Sequence, residues 1–255
     1  TPSEQIESTH EAFEAGASLV HVHVRALDES PSSDPDLFER VQEGVRKHCP
    51  GMIIQFSTGG RGREQSARGA MLALRPDMAS LATGSVNFPT SIYENPPEFV
   101  DGLARTMLEL DIKPEIEVFD LAMLYNAAQL VKRGLLKAPL HVQFVLGIQN
   151  ALPARRSVFD FLRSELAVLM PEATWIAAGT GRFQWEVNKW CLETGGHSRT
   201  GLEGNIKVDP TRPAARKART GREIAPSRDL YGRHVASTIE ARQLLGLRPA
   251  TTNTH

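Results

Sequence analysis

Ser18-Leu19-Val20-His21-Val22-His23-Val24-Arg25 is a β-branched apolar run interrupted at every second position by a polar side chain. Side chains alternate across a strand, so His21, His23 and Arg25 leave one face while Val20, Val22 and Val24 take the other. The valine face suits burial against helices. The opposite face places two imidazoles about 6.6 Å apart along the backbone, close enough for both rings to lean onto one ion. Two readings fit that spacing: half of a metal site, or a pair of histidines in a hydrogen-bonded core network.

Outward from this strand, the chain alternates strand and helix. Thr1-Pro2-Ser3-Glu4 reads as a helix start, with Thr1 as cap, Pro2 in the first turn and Glu4 closing a capping box; it lacks the pattern of a signal peptide. Ile6, Phe13 and Ala17 suit that helix's buried side up to Gly16. Asp34-Pro35 opens the next helix, with Leu37, Val41 and Val45 on one stripe until Cys49-Pro50-Gly51 stops it, and Met52 to Ser57 reads as a strand. The spacing then predicts helices over 64–74, 97–110, 121–133, 158–169 and 184–193. Strands are predicted over 78–85, 114–120, 141–146, 175–178 and 197–202. Seven strands in regular alternation with helices predict an α/β fold formed as one domain over residues 1–255, either a (β/α)₈ TIM barrel missing one strand or an open doubly wound sheet, and the barrel is the reading carried forward. A helix comes first, so the barrel's first strand is expected to precede Thr1.

Composition excludes several classes of partner. The 255 residues are 41% hydrophobic and 23% charged, with a formal net charge of −1, which gives no overall electrostatic attraction to nucleic acid or an anionic membrane. No apolar run reaches the length of a transmembrane helix. Two cysteines, Cys49 and Cys191, fit a reducing cytoplasm rather than a disulfide framework. Small-molecule substrates are the expectation.

Barrel enzymes gather their chemistry at the carboxyl ends of the strands, and polar residues recur there. They are His21, His23 and Arg25; Ser57-Thr58-Gly59-Gly60; Thr83-Gly84-Ser85 and Asn87; Glu115, Glu117 and Asp120; Gln149-Asn150; Gly179 to Arg182; and Arg199 with Glu203. The loop Gly59-Gly60-Arg61-Gly62-Arg63 offers backbone amides to a carboxylate or phosphate but is neither a Walker loop nor a dinucleotide fingerprint. Glu203, near the end of the last strand, is the natural third metal ligand beside His21 and His23. Two histidines and one carboxylate leave a zinc position open, as in catalytic sites. Arg199 supplies a positive charge for a carboxylate or developing oxyanion, or else pairs internally, for instance with Glu117.

The strings Ala15 to Arg25, Ser33 to Leu37, Ile54 to Gly60, Leu81 to Phe88, Pro114 to Asp120, Gly195 to Glu203 and Ala241 to Leu247 stand in an order that closely resembles the β-keto acid cleavage enzyme family, of the 3-keto-5-aminohexanoate cleavage enzyme type. The resemblance implies a zinc-dependent, homo-oligomeric TIM barrel, with a tetramer favoured. It implies a Claisen and retro-Claisen exchange that turns a β-keto acid and acetyl-CoA into acetoacetate and a new acyl-CoA. Carried over by motif, His21, His23 and Glu203 hold zinc; Ser57, Gly60 and Thr83, with Asn87 beside them, contact substrate; Glu117 and Arg199 complete the catalytic lining. Family members commonly carry an acidic residue after the ligand Glu. Gly204 stands there in this chain and cannot act as a base, so the proton falls to Glu117, Asp120, a water on the metal or a residue outside this sequence, or else the reaction is altered or lost. The alternatives are a silent metal-binding or ligand-sensing barrel, and a metal-dependent hydrolase, whose further histidine on a middle strand could be sought only in His141. The Arg- and Pro-rich segment 207–233 reads as a solvated loop or, through Arg216 and Lys217, as a grip on CoA phosphates.

Overall fold

The computed structural model describes residues 1–60, 64–201 and 231–250, together with the backbone of 207–209 and 212–213. Glu203, Gly204, Arg61, Arg63, Arg216 and Lys217 lie outside the described residues.

Helix α1 (Pro2–Glu14) starts on the expected capping box: the Thr1 hydroxyl accepts from the Glu4 amide, and the Glu4 carboxylate reaches back to Thr1. Strand β1 (Leu19–Val22) follows, then a small antiparallel ribbon of β2 (Val24–Arg25) and β3 (Pro31–Ser32). The chain continues through α2 (Pro35–His48), β4 (Ile53–Phe56), the single turn α3 (Gln65–Arg68), a 3₁₀ turn (Ala70–Leu74) and β5 (Met78–Ala82). A second ribbon, β6 (Val86–Asn87) with β7 (Ile92–Tyr93), precedes α4 (Pro97–Glu109), β8 (Lys113–Val118), α5 (Leu121–Lys132) and β9 (His141–Leu146). Then come α6 (Arg156–Leu169), β10 (Thr174–Gly179), α7 (Gln184–Thr194), β11 (His197–Ser198), a short β12 and β13 pair (Lys207–Asp209, Arg212–Pro213) and α8 (Thr238–Leu244).

All seven predicted strands join one parallel sheet in the order β1-β4-β5-β8-β9-β10-β11. This is the TIM-barrel progression of neighbours, with β1 and β11 at the two ends of the sheet. Alternation along each strand sorts the residues. Val20, Val22, Ile54 and Phe56 pack outward on Phe38, Val41 and Val45 of α2. Leu81, Ile116, Val118, Val142 and Phe144 share the larger outer core with α4, α5 and α6. The intervening positions, including His21, Gln55, Ser80, Glu115, Glu117, His141 and Gln143, bring polar groups to the inner face, where register sets Glu115 beside His141 and Glu117 beside Gln143.

Helix α8 closes the amino ends of the strands. Its Ala241, with the following Leu245, packs on Ile53 and Met78. Arg242 donates from Nε to the Gly51 carbonyl at 3.0 Å and pairs with Asp77 at 2.9 Å, while the other Asp77 oxygen accepts from the Ile54 amide. Among the described residues no helix is long and apolar enough to cross a membrane.

Several predicted elements are shorter than expected: the strand over 78–85 ends at Ala82, and of the strand over 197–202 the described residues form only His197–Ser198. The helix over 64–74 is only the turn Gln65–Arg68 followed by 3₁₀ geometry, because Gly69 intervenes and the Arg68 side chain turns into the protein. Arg25 does not join the inner face: it is exposed in the β2–β3 ribbon, where Nη1 donates to the Glu29 carbonyl at 2.7 Å.

Candidate active site

Strand β1 delivers His21, and His23 follows one residue after its end. The two Nε2 atoms stand 3.1 Å apart, with ring centroids 4.9 Å apart and planes at 61°. His21 Nδ1 lies 2.5 Å from Gln55 Oε1, a carbonyl oxygen that can only accept. Nδ1 therefore carries the hydrogen, and in the neutral ring Nε2 presents its lone pair to His23. Two nitrogens bonded to one tetrahedral zinc at the usual length would be about 3.3 Å apart, so the pair already has the spacing of two ligands. The donated Nδ1–H is also the support that metal-bound histidines typically have. Gln5 of α1 steadies the strand by donating to the His23 carbonyl at 2.8 Å. Among the described residues no group of three or more His, Cys, Asp or Glu is placed to hold a metal ion, so this pair is a partial donor set.

Across the sheet, Gln143 ties three charged residues together. Its Nε2 donates to Glu115 at 3.1 Å and to Glu117 at 3.4 Å, and its Oε1 accepts from Arg199 Nη1 at 2.6 Å. Arg199 thus meets an amide backed by two carboxylates. Burial pushes the Glu115 carboxyl up, but the His141 hydrogen bond and charge, together with Arg199 and His21, outweigh it and hold the group down at about 2. His141 is engaged at both nitrogens, with Glu115 at 3.5 Å and with the Thr174 hydroxyl at 2.8 Å, and stands at the start of β9. These partners occupy the one middle-strand histidine that a hydrolase reading could use.

Beyond β4, the loop is held tightly. Thr58 donates from its hydroxyl to the Ser80 carbonyl at 2.7 Å, and the Gly59 amide donates to Ser57 Oγ at 3.1 Å. A Cβ on Gly59 would stand 3.0 Å from Ser57 Oγ, 3.6 Å from the Tyr93 hydroxyl and 4.0 Å from His23 Cε1. Ser57, Tyr93 and His23 therefore converge on one small space, which the glycine leaves open.

These residues lie within a chain matched over residues 1–247 by the family described as beta-keto acid cleavage enzyme. The chain belongs to the beta-keto acid cleavage enzyme family. It is 55% identical over 247 residues to 3-oxoadipate:acetyl-CoA acetyltransferase of Cupriavidus necator, covering 97% of this chain and 87% of that protein. It is 36% identical over 251 residues to 3-keto-5-aminohexanoate cleavage enzyme of Fusobacterium nucleatum, covering 97% and 90%. Among solved structures, ObcA in its apo form superposes with a TM-score of 0.85 at 20% identity, and the binary complex of ObcA with oxaloacetate with 0.86 at 21%. Both cover 97% of this chain, which spans 65% and 66% of the ObcA chains and shares their fold.

In this member of the beta-keto acid cleavage family the other predicted residues divide. Thr83 is buried, and its hydroxyl donates to the Met123 carbonyl at 2.6 Å, anchoring α5 while leaving its oxygen lone pairs as acceptors. Asn87 is exposed in the β6–β7 ribbon. Asp120 caps α5 by accepting from the Ala122 amide at 2.8 Å, so its carboxylate has a structural task. Gly60 lies against Arg68: a Cβ there would come within 2.6 Å of the Arg68 Cγ.

Sequence reasoning missed Arg68, Gln143 and Tyr93. Arg68 is fully buried; it donates to the Thr58 and Glu94 carbonyls at 2.9 and 2.7 Å and to Asn95 at 2.6 Å, and stacks on Phe99 and Tyr93. It holds the stretch from Thr58 to Gly60 from behind. A lone Arg in a short helical turn gives no periodic sign of this. Gln143 did carry a sign, since it has the same two-residue offset from His141 that Glu117 has from Glu115.

Proposed function

We propose that this beta-keto acid cleavage family member is a zinc-dependent enzyme that exchanges acyl groups between a β-keto acid and acetyl-CoA, giving acetoacetate and a new acyl-CoA. The 55% identity with a 3-oxoadipate:acetyl-CoA acetyltransferase supports 3-oxoadipate as substrate and succinyl-CoA as the second product. The observation that carries the zinc assignment is the facing His21 and His23 nitrogens, 3.1 Å apart, with Nδ1 of His21 held by Gln55. Glu203 is the third ligand in this reading. Zinc bound there would polarise the substrate's keto oxygen and acidify the carbon between ketone and carboxylate.

The chain's own residues do the rest. Ser57 and the Gly60 amide donate to the carboxylate end; Thr83, whose hydroxyl hydrogen is given to the Met123 carbonyl, lines the space beside them, and Asn87 joins them by resemblance to the family. Glu117, buried and acceptor-only when ionised, takes a proton from the activated carbon. That carbon attacks the acetyl thioester carbonyl, and the CoA thiolate leaves. Arg199 faces the negative oxygen formed at this stage. The thiolate returns to the original keto carbon, the adjacent carbon–carbon bond breaks, and Glu117 gives its proton back to acetoacetate. The first two carbons of acetoacetate come from the β-keto acid and the last two from acetyl-CoA, so atoms balance. A cytoplasmic homo-oligomer, a tetramer by resemblance, completes the reading.

The test is exchange with acetyl-CoA carrying ¹³C in both acetyl carbons. The expected products from 3-oxoadipate are succinyl-CoA and acetoacetate labelled at its third and fourth carbons, with one zinc per chain and loss of turnover after chelation. Unlabelled acetoacetate, or hydrolysis of acetyl-CoA without a second acyl-CoA, overturns the proposal.

A further inference from the structure

Gln143 is fully buried in the middle of β9, surrounded by charged groups whose hydrogen-bonding roles leave its amide a single orientation. The Glu115 and Glu117 carboxylates can only accept, so Nε2 must face them. Arg199 can only donate, so Oε1 must face it, at 2.6 Å. Glu115 is held in its turn: its second oxygen meets His141 Nε2 at 3.5 Å, and His141 Nδ1 meets Thr174 Oγ1 at 2.8 Å on the next strand. A line of polar contacts, buried at its centre and part-buried at its two ends, therefore runs from Thr174 through His141, Glu115 and Gln143 to Arg199. Each link is satisfied, which is the condition under which a buried network adds rigidity rather than cost.

From this we infer that Gln143 is a positioning residue for Arg199: its oriented amide holds the guanidinium over the reacting carbonyl and passes to it part of the negative charge of Glu115 and Glu117. The inference rests on the function proposed above for Arg199's role in turnover, whereas the positioning itself is a property of the network alone. Gln143 touches no substrate in this account. Its effect should appear in kcat, because a guanidinium displaced by an ångström loses contact with charge that develops only in the transition state.

The experiment compares wild type, Gln143→Leu, Gln143→Glu and the exchange Glu115→Gln with Gln143→Glu, all on the zinc-loaded full chain. Gln143→Leu is expected to lower kcat about 100-fold with KM for the β-keto acid within about threefold, and with zinc content unchanged. Gln143→Glu keeps an acceptor for Arg199 but sets a third carboxylate against Glu115 and Glu117, and is expected to be equally impaired. The exchanged pair restores a donor at 115 and an acceptor at 143, and is expected to recover at least about tenfold of kcat over Gln143→Glu. Side-chain ¹⁵N spectra of Arg199 provide the readout that needs no turnover: slow Nη exchange in wild type and fast exchange in Gln143→Leu. An Arg199 equally ordered in Gln143→Leu, or a kcat unchanged in that variant, overturns the inference. Should wild type itself show no acyl exchange, the functional reading fails and the Arg199 spectra alone decide the positioning.

Discussion

The two ends of the strand sheet are held by different forces. At the amino ends of β4 and β5, Ile53 and Met78 meet Ala241 of α8 and the following Leu245, and a charged staple, Arg242 to Asp77, fixes that helix in place. From the middle of the strands toward their carboxyl ends, His21, His23, Ser57, Glu117, Gln143 and Arg199 make hydrogen bonds with other polar groups. Apolar contact is tolerant of small changes and contributes stability in proportion to area. Polar contact is exacting about donors and acceptors and contributes direction. At β4 and β5 the apolar packing of α8 and the chemistry thus lie at different levels of the strands, and substitutions in the two should be separable in the same way.

The largest expected effect is on the polar side. Replacing His21 or His23 by Ala should abolish both stoichiometric zinc binding and acyl exchange, read by metal analysis and product mass, while the thermal midpoint of the metal-free protein stays close to wild type. Arg199→Met should retain zinc yet lower kcat about 100- to 1000-fold, the cost of removing a donor aimed at developing charge. Gln55→Leu removes only the acceptor behind His21, and zinc affinity measured by competition with a chelator should weaken about 10- to 100-fold. At the other end, Arg242→Met leaves Asp77 unpaired and should cost about 3 kcal/mol in urea unfolding with kcat unchanged at temperatures where the protein is folded. A large fall in kcat there would break the comparison.

Stability also depends on pH, by an amount comparable with the Arg242 effect. Burial, with the charges of His141 and Arg233, lowers the His197 pKa from 6.5 to about 4. Between those values the unfolded chain binds the proton and the folded chain does not, so stability is present above pH 6.5 and is lost as pH falls toward 4. Glu115, lowered from 4.5 to about 2, extends the loss from pH 4.5 downward. His197→Gln should remove the upper part of this slope in denaturation curves recorded from pH 7 to 4.

Much of the sheet was legible because half-buried and fully buried strands leave regular marks. The runs Met52 to Ser57 and His141 to Leu146 gave their strands within a residue or two, and the parity of His21 and His23 gave their shared face. What stayed hidden depends on single long side chains crossing between elements. Arg68 and Glu94 are 26 residues apart and Gln143 and Arg199 are 56 apart, and no local pattern relates them. The β2–β3 ribbon was missed for a related reason: two residues per strand are too few to show alternation, so Arg25 was assigned by extrapolating the strand past its end.

The staple at the amino ends also sets an order of events during synthesis. Arg242 and the Gly51 carbonyl it grips are separated by 191 residues. At ribosomal speeds of roughly 5 to 20 residues per second, about 10 to 40 s pass before the second can meet the first. For that interval the floor formed by Ile53 and Met78 has no lid, and the nascent sheet presents an apolar surface to whatever else is nearby. This helix is therefore a latch that closes only after the chain has been made through Arg242.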